Sequence, residues 1–226
     1  MLTQYSKIIE EMGDEMNQTE TMLFRILHVF ASFLALQLLW FFFSLGIVTV
    51  IPATVAMYAV VLEWSKHGID ITGVWKTFYQ AFKLNFRNTL FLGINVGVLA
   101  IIFNLNASIL PTFNGFLHFV MQVIWLFAAS IFILTLIAML PLIVTSHLKG
   151  LKLWKHAWIA SITILPDILL IGGIGAIFVI VGLYFPMAII AGVSLFAFIH
   201  INIWQKAVKK LPQDFLDQCL LKYRYR

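Results

Sequence analysis

Three stretches of this chain, residues 26–62, 88–148 and 168–205, contain no Asp, Glu, Lys or Arg. A run of 18 or more mostly apolar residues without charge is long enough to cross the hydrocarbon layer of a membrane as a helix. A water-soluble core does not need three such runs. Of the 226 residues 62% are hydrophobic and 11% charged, where soluble domains average about a quarter charged. The fold class that follows is all-α: a polytopic transmembrane helix bundle whose solvent is the lipid bilayer. The formal charge of +5 is not a nucleic-acid signal, because the cations sit at the ends of the apolar runs, where they mark topology. Cys219 stands alone, which excludes an intramolecular disulfide.

The run 26–62 sets the span count. As one helix it would be roughly 55 Å long, against a hydrocarbon layer of about 30 Å, and tilt does not absorb that excess. The chain must therefore turn, and Ser44, Gly46 and Pro52 are the turn signals. Pro52 suits the first turn of a new helix, with Thr49 as its cap. This places a first span at 25–45 and a second, short one at 50–64 that is a half-span or a bent continuation. Later spans fall at 89–110, 117–144, 160–181 and 187–204, with uncharged turns at 111–115 and 182–186. About six spans result, or five if the opening run crosses once.

Two basic connectors separate the spans. In the first, Trp75, Phe78, Tyr79, Phe82 and Phe86 form one stripe and Lys76, Gln80, Lys83 and Arg87 the opposite one. That is the pattern of an interfacial helix with its aromatic residues at the headgroups. The second carries Lys149, Lys152, Trp154 and Lys155. Lys and Arg concentrate at 66–87, 149–155 and 206–226, so these segments and the C-terminus are expected to face the cytoplasm. Three regions follow: an amphipathic acidic segment over 1–22, the bundle over 23–205 and a basic tail over 206–226. Within the first, Tyr5, Ile8, Ile9, Met12 and Met16 share one face of a short helix over 4–16, and Asn17 to Thr21 form a polar break. The connectors echo each other: Trp75-Lys76 matches Trp154-Lys155, and at the same offset Ala81 matches Ala160, Leu90 matches Leu169 and Gly93 matches Gly172. The echo suggests a parallel span–connector–span repeat.

An ionisable group in an apolar run is by default a candidate functional residue. Asp167, beside Pro166, is the one acid so placed. It reads either as an N-cap, with the fifth span starting there, or as a proton or cation site. Asn95 is the second tentative functional residue. With Asn104, Asn106, Gln37 and Gln122 it suits hydrogen bonding between helices. Gly172, Gly173 and Gly175 allow close helix packing. The six histidines form no metal-binding set, and there is no nucleophile elbow, phosphate loop or dinucleotide fingerprint. No catalytic, cofactor-binding or metal residue is expected, and the chain does not read as an enzyme.

Leu39-Trp40, Gly46, Pro52-Ala53-Thr54, Tyr58, Trp64 and the Trp75/Phe78/Phe82/Phe86 connector together resemble the YesL family of bacterial membrane proteins. Leu151, Lys155 and Ala157 extend the likeness more loosely into the second connector. The family is of uncharacterised function, and its genes tend to lie near carbohydrate uptake and breakdown systems. The resemblance therefore implies an accessory or interaction subunit associated with carbohydrate uptake, with sugar-import transporter subunits as partners. The alternative is a small transporter or channel built on the parallel repeat. Family members are more basic at the N-terminus, where this chain has Glu10, Glu11, Asp14, Glu15 and Glu20.

Overall fold

The computed structural model describes the backbone of residues 2–46, 49–212 and 215, and side chains within 22–46, 49–185, 192–212 and 215. The described residues form seven α-helices: α1 (Leu2–Ser44), α2 (Val50–His67), α3 (Val74–Ile109), α4 (Gly115–Thr145), α5 (Leu151–Thr163), α6 (Leu165–Tyr184) and α7 (Pro186–Val208). A 3-10 turn, Leu110–Thr112, links α3 to α4. Among the described residues, four stretches are long and apolar enough to cross a membrane: Met22–Ser44, Val74–Thr112, Gly115–Thr145 and Leu165–Tyr184.

The opening run turns where its length requires. α1 stops at Ser44 and α2 starts at Val50, with Pro52 in its first turn. Thr49 occupies the N-cap position but makes no cap hydrogen bond. Its hydroxyl instead donates backward to the carbonyls of Phe43 and Gly46, both at 2.6 Å. The reason lies in its backbone, which is already near-helical (φ −91°, ψ −5°) and not in the extended conformation that aims a cap side chain at the next turn. Thr49 thus ties off the end of α1.

α2, the short second segment, forms the centre of the larger core. Eleven of its residues are buried, flanked by α1, α3 and α7. Ala53, Ala56 and Ala59 lie at three-residue intervals and are at most 5% exposed; small side chains in that spacing let neighbouring backbones approach. α1 runs antiparallel to α2, shown by Trp40 Nε1 donating to Thr54 Oγ1 (3.1 Å) and by the Phe33–Trp64 edge contact. A second core joins α3 to α7 through Leu92, Leu142, Leu153, Ile168 and Trp204.

Two expected breaks are absent. α1 continues through Asn17–Thr21, and α3 joins the first connector to the third span without interruption. Polar residues without proline lower helix propensity by only a few tenths of a kcal/mol each, too little to end a helix. The amphipathic face expected over 4–16 falls on side chains outside the described residues, as does most of the basic tail. In the second connector the helix does break, at Ile164 (φ −110°, ψ 36°). Pro166 lacks the N–H that would bond to Ile162 and its ring clashes with that carbonyl.

The echo between the connectors extends to burial. The buried residues of α3 are Val74, Phe78, Ala81, Thr89 and Leu92. At the offset that matches Trp75 to Trp154 stand Leu153, Ala157, Ala160, Ile168 and Ile171, all buried. Gly93 and Gly172 share a role too: a Cβ on either would lie 3.1 Å from Ile51 and 3.3 Å from Ile137, respectively. Each glycine brings its helix against the span before the connector.

Candidate functional site: a buried polar seam

In an apolar bundle, polar side chains that meet inside are the groups able to do more than pack. They converge where α7 lies against α1 and α2. Gln37 of α1, 2% exposed, accepts the backbone N–H of Ser194 on its side-chain carbonyl at 2.9 Å. Tyr58 of α2 and His200 of α7 are 1% exposed each, with hydroxyl and Nδ1 2.7 Å apart and rings nearly perpendicular. Lower down, Ser65 Oγ donates to Gln205 Oε1 at 2.9 Å. Among the described residues, Gln37 Nε2, Ser194 Oγ, His200 Nε2 and Trp204 Nε1 are buried without a hydrogen-bond partner. If the Tyr58 hydroxyl donates to Nδ1, the imidazole proton sits on Nε2, which then has no acceptor. The seam is therefore tied at three points and under-satisfied between them.

Tyr58 and His200 lie 142 residues apart in sequence. Sequence reasoning passed over the pair, although His200, an ionisable side chain in a charge-free run, meets the same criterion that singled out Asp167.

Asp167 lies in the first turn of α6, not at its cap; Ile164 holds the N-cap position. Its carboxylate, 19% exposed, takes both contacts from Lys210 Nζ, at 2.7 and 2.9 Å. Asn95 makes its hydrogen bond within α3, donating to the Phe91 carbonyl at 2.7 Å. Asn104 and Asn106 do the same with Ala100 and Ile102. The expected interhelical bonds are absent at these three amides, because the side chains lie at exposed positions of α3 and the i−4 carbonyl is within reach. No hydrogen bond brings Asn95 and Asp167 together.

The connector residues divide by environment. Trp75 and Tyr79 stack outward with their planes 4° apart and are 60% and 47% exposed. Phe78 is fully buried and packs with Phe82 on Phe43 of α1, so the aromatic stripe faces the core as much as the interface. Lys76, Lys83, Arg87, Lys152 and Lys155 are exposed, and Trp154 stacks on Phe132. Of the expected close-packing glycines, Gly172 and Gly175 face neighbouring helices and Gly173 faces open space. No group of His, Cys, Asp and Glu able to hold a metal occurs among the described residues.

Residues 33–107, from mid-α1 to the end of α3, match the family described as "Protein of unknown function, DUF624". Over 186 residues the chain is 28% identical to the uncharacterized protein YteU of Bacillus subtilis (strain 168), covering 78% of this chain and 81% of the relative. The resemblance to the YesL family holds. No solved structure matches. The segment matched to the family includes Gln37 and Tyr58 of the seam, while their partners Ser194 and His200 lie beyond it.

Proposed function

We propose that the chain is a six-span protein of the bacterial cell membrane that acts as an accessory or interaction subunit in carbohydrate uptake, not as an enzyme. The observation that carries the membrane-subunit reading is the α3–α4 hairpin. From residue 94 to residue 133 no residue is buried, although Ile101, Leu105, Phe119, Ile124 and Phe127 are all more than half exposed. Each arm is about 24 to 29 Å long, close to one hydrocarbon thickness. Contiguous apolar surface of this extent is covered in use by lipid, by a partner, or by both.

α2, about 27 Å long, and α7, about 35 Å long, bring the four apolar stretches to six spans. The contacts support one basic side. His28 faces Asp70 across 3.8 Å, Ser65 meets Gln205, and Lys210 meets Asp167. These link the start of span one, the α2–α3 turn, the end of α7 and the start of α6. Both termini then face the cytoplasm by the positive-inside rule. The sugar-import partner rests on the family resemblance. Crosslinking in native membranes, followed by partner identification, tests it: a transporter subunit enriched above background is the expected result, and none above background counts against it.

The transporter alternative has its own support in the recurrent burial pattern and in the under-satisfied seam. It requires uptake by the protein alone in reconstituted vesicles, abolished by His200→Phe at unchanged expression.

A further inference from the structure

A cationic feature of the fold lies away from the seam. Where α3 passes the α4–α5 turn, a cleft of about 510 Å³ is lined by Arg87, Asn88, Leu90, Phe91, Ile94 and Lys149. It draws one cation from each basic connector. Neither Arg87 nor Lys149 has an ion pair or side-chain hydrogen bond among the described residues, and the Asn88 amide has none either. A smaller cavity of about 40 Å³ adjoins it through Asn88 and Lys149.

The chain contains its own control for this site. In the register that matches Trp75 to Trp154, Asn88 corresponds to Asp167. Asp167 lies in the first turn of α6 and Asn88 at the start of the charge-free part of α3, and each lies near the lysine that follows the returning helix: Lys210 after α7, Lys149 after α4. In one copy the carboxylate of Asp167 neutralises Lys210. In the other, Asn88 is neutral, and Arg87 takes the place of Pro166. One position is closed by an internal anion; its counterpart holds two cations and no anion.

The geometry points to the Arg87–Lys149 cleft as a binding site for the phosphate headgroup of an anionic glycerophospholipid. A phosphate group is recognised by the guanidinium, the ammonium and the Asn88 amide. Leu90, Phe91 and Ile94 continue from these polar groups onto the uncovered hairpin, and so offer a surface for an acyl chain. A free phosphate would use the cations and leave that apolar wall unoccupied, which is why the lipid is the occupant. Basic pockets between membrane helices on the cytoplasmic side hold anionic headgroups by the same physics.

The test uses the full chain in neutral detergent, titrated with phosphatidylglycerol or phosphatidylcholine and read by native mass spectrometry. Tight binding of phosphatidylglycerol over phosphatidylcholine is expected. Arg87→Gln with Lys149→Gln weakens it roughly 25-fold, from about a factor of five per surface cation. Lys76→Gln with Lys155→Gln, which removes equal charge outside the cleft, leaves it within about twofold. Asn88→Asp, which installs the internal carboxylate of the other copy, weakens it without removing a cation. A photoreactive acyl chain on wild-type protein labels residues 90–94. An equal loss in both double variants, no effect of Asn88→Asp, labelling spread along the hairpin without residues 90–94, or displacement of the lipid by millimolar inorganic phosphate overturns the assignment. The inference rests on the membrane reading and not on the partner reading. A chain monodisperse in detergent-free buffer would sink both it and the membrane reading, whereas failed partner capture leaves it standing.

Discussion

The Tyr58–His200 contact predicts a specific pattern of energies. Tyr58→Phe removes the hydroxyl and leaves His200 Nδ1 buried without its 2.7 Å partner. An abandoned buried polar group costs about 1–3 kcal/mol in soluble proteins, and single polar pairs in membrane bundles average about 0.6 and reach about 1.7 kcal/mol. His200→Phe has the converse effect on Tyr58 but also removes Nε2, which is already without a partner. The double variant removes both ends of the bond and that orphan, so it should be no less stable than Tyr58→Phe alone. Any crowding by the larger ring at position 200 enters both His200 variants and cancels in the cycle. The expected coupling is about 0.6–1.7 kcal/mol, measured by reversible unfolding of all four proteins in detergent. Strict additivity, within about 0.3 kcal/mol, would mean that the two side chains do not bond, and the seam would lose its central tie.

Asp167→Asn should lower stability by less than about 1 kcal/mol, because Lys210 is 62% exposed and ion pairs in water contribute little; a midpoint loss well beyond that in thermal unfolding would assign the carboxylate a further role. Gly192→Ala would drive a Cβ into the Phe178 ring and should cost about 1–3 kcal/mol through overpacking, relieved by Phe178→Ala. Gly97→Ala meets nothing within 4 Å and should stabilise α3 by up to about 1 kcal/mol; the reverse order of the two glycine variants in thermal unfolding would refute the packing at both. The Thr72 hydroxyl, with the Thr72 backbone N–H, holds the Asp70 carboxyl below its ordinary value of 3.8. That stabilisation is present above the ordinary value and is lost as pH falls through the lower folded one. Trp64 donates to the Asp70 carbonyl, so its fluorescence should report the acid transition, and Thr72→Val should move that transition to higher pH. An unchanged midpoint would separate Thr72 from Asp70.

Much of this fold is written in lengths. The turn between Ser44 and Val50 follows from comparing a charge-free run with a bilayer, and the connectors follow from where lysine and arginine gather. What the chain's linear order hides is which helix becomes the centre. α2 looks like an incomplete span because it ends in Glu63, Lys66 and His67, yet its alanines suit it to be surrounded. Phe78 and Trp75 sit in one aromatic stripe and both touch Phe43 of α1, yet one is buried and the other exposed, a division that the stripe alone does not show. The break at Ile164 was legible in Pro166. The unbroken course of α3 was not, because polar and aromatic residues mark an interface without ending a helix. Asp167 stood out on chemistry alone, whereas its partner Lys210 comes from the far end of the chain.

The hairpin from 94 to 133 also bears on how the protein suits its host. Those forty positions include no buried residue and meet the interior at their foot, through Val96 and through Phe132 against Trp154, so the outer part of each arm is free to vary in length without disturbing it. Removing one helical turn from the outer end of each arm would leave both cores intact and change the bilayer thickness that this hairpin matches. The hairpin can thus be refitted to a thinner or thicker bilayer by itself, while the packed helices keep the lengths that their contacts set.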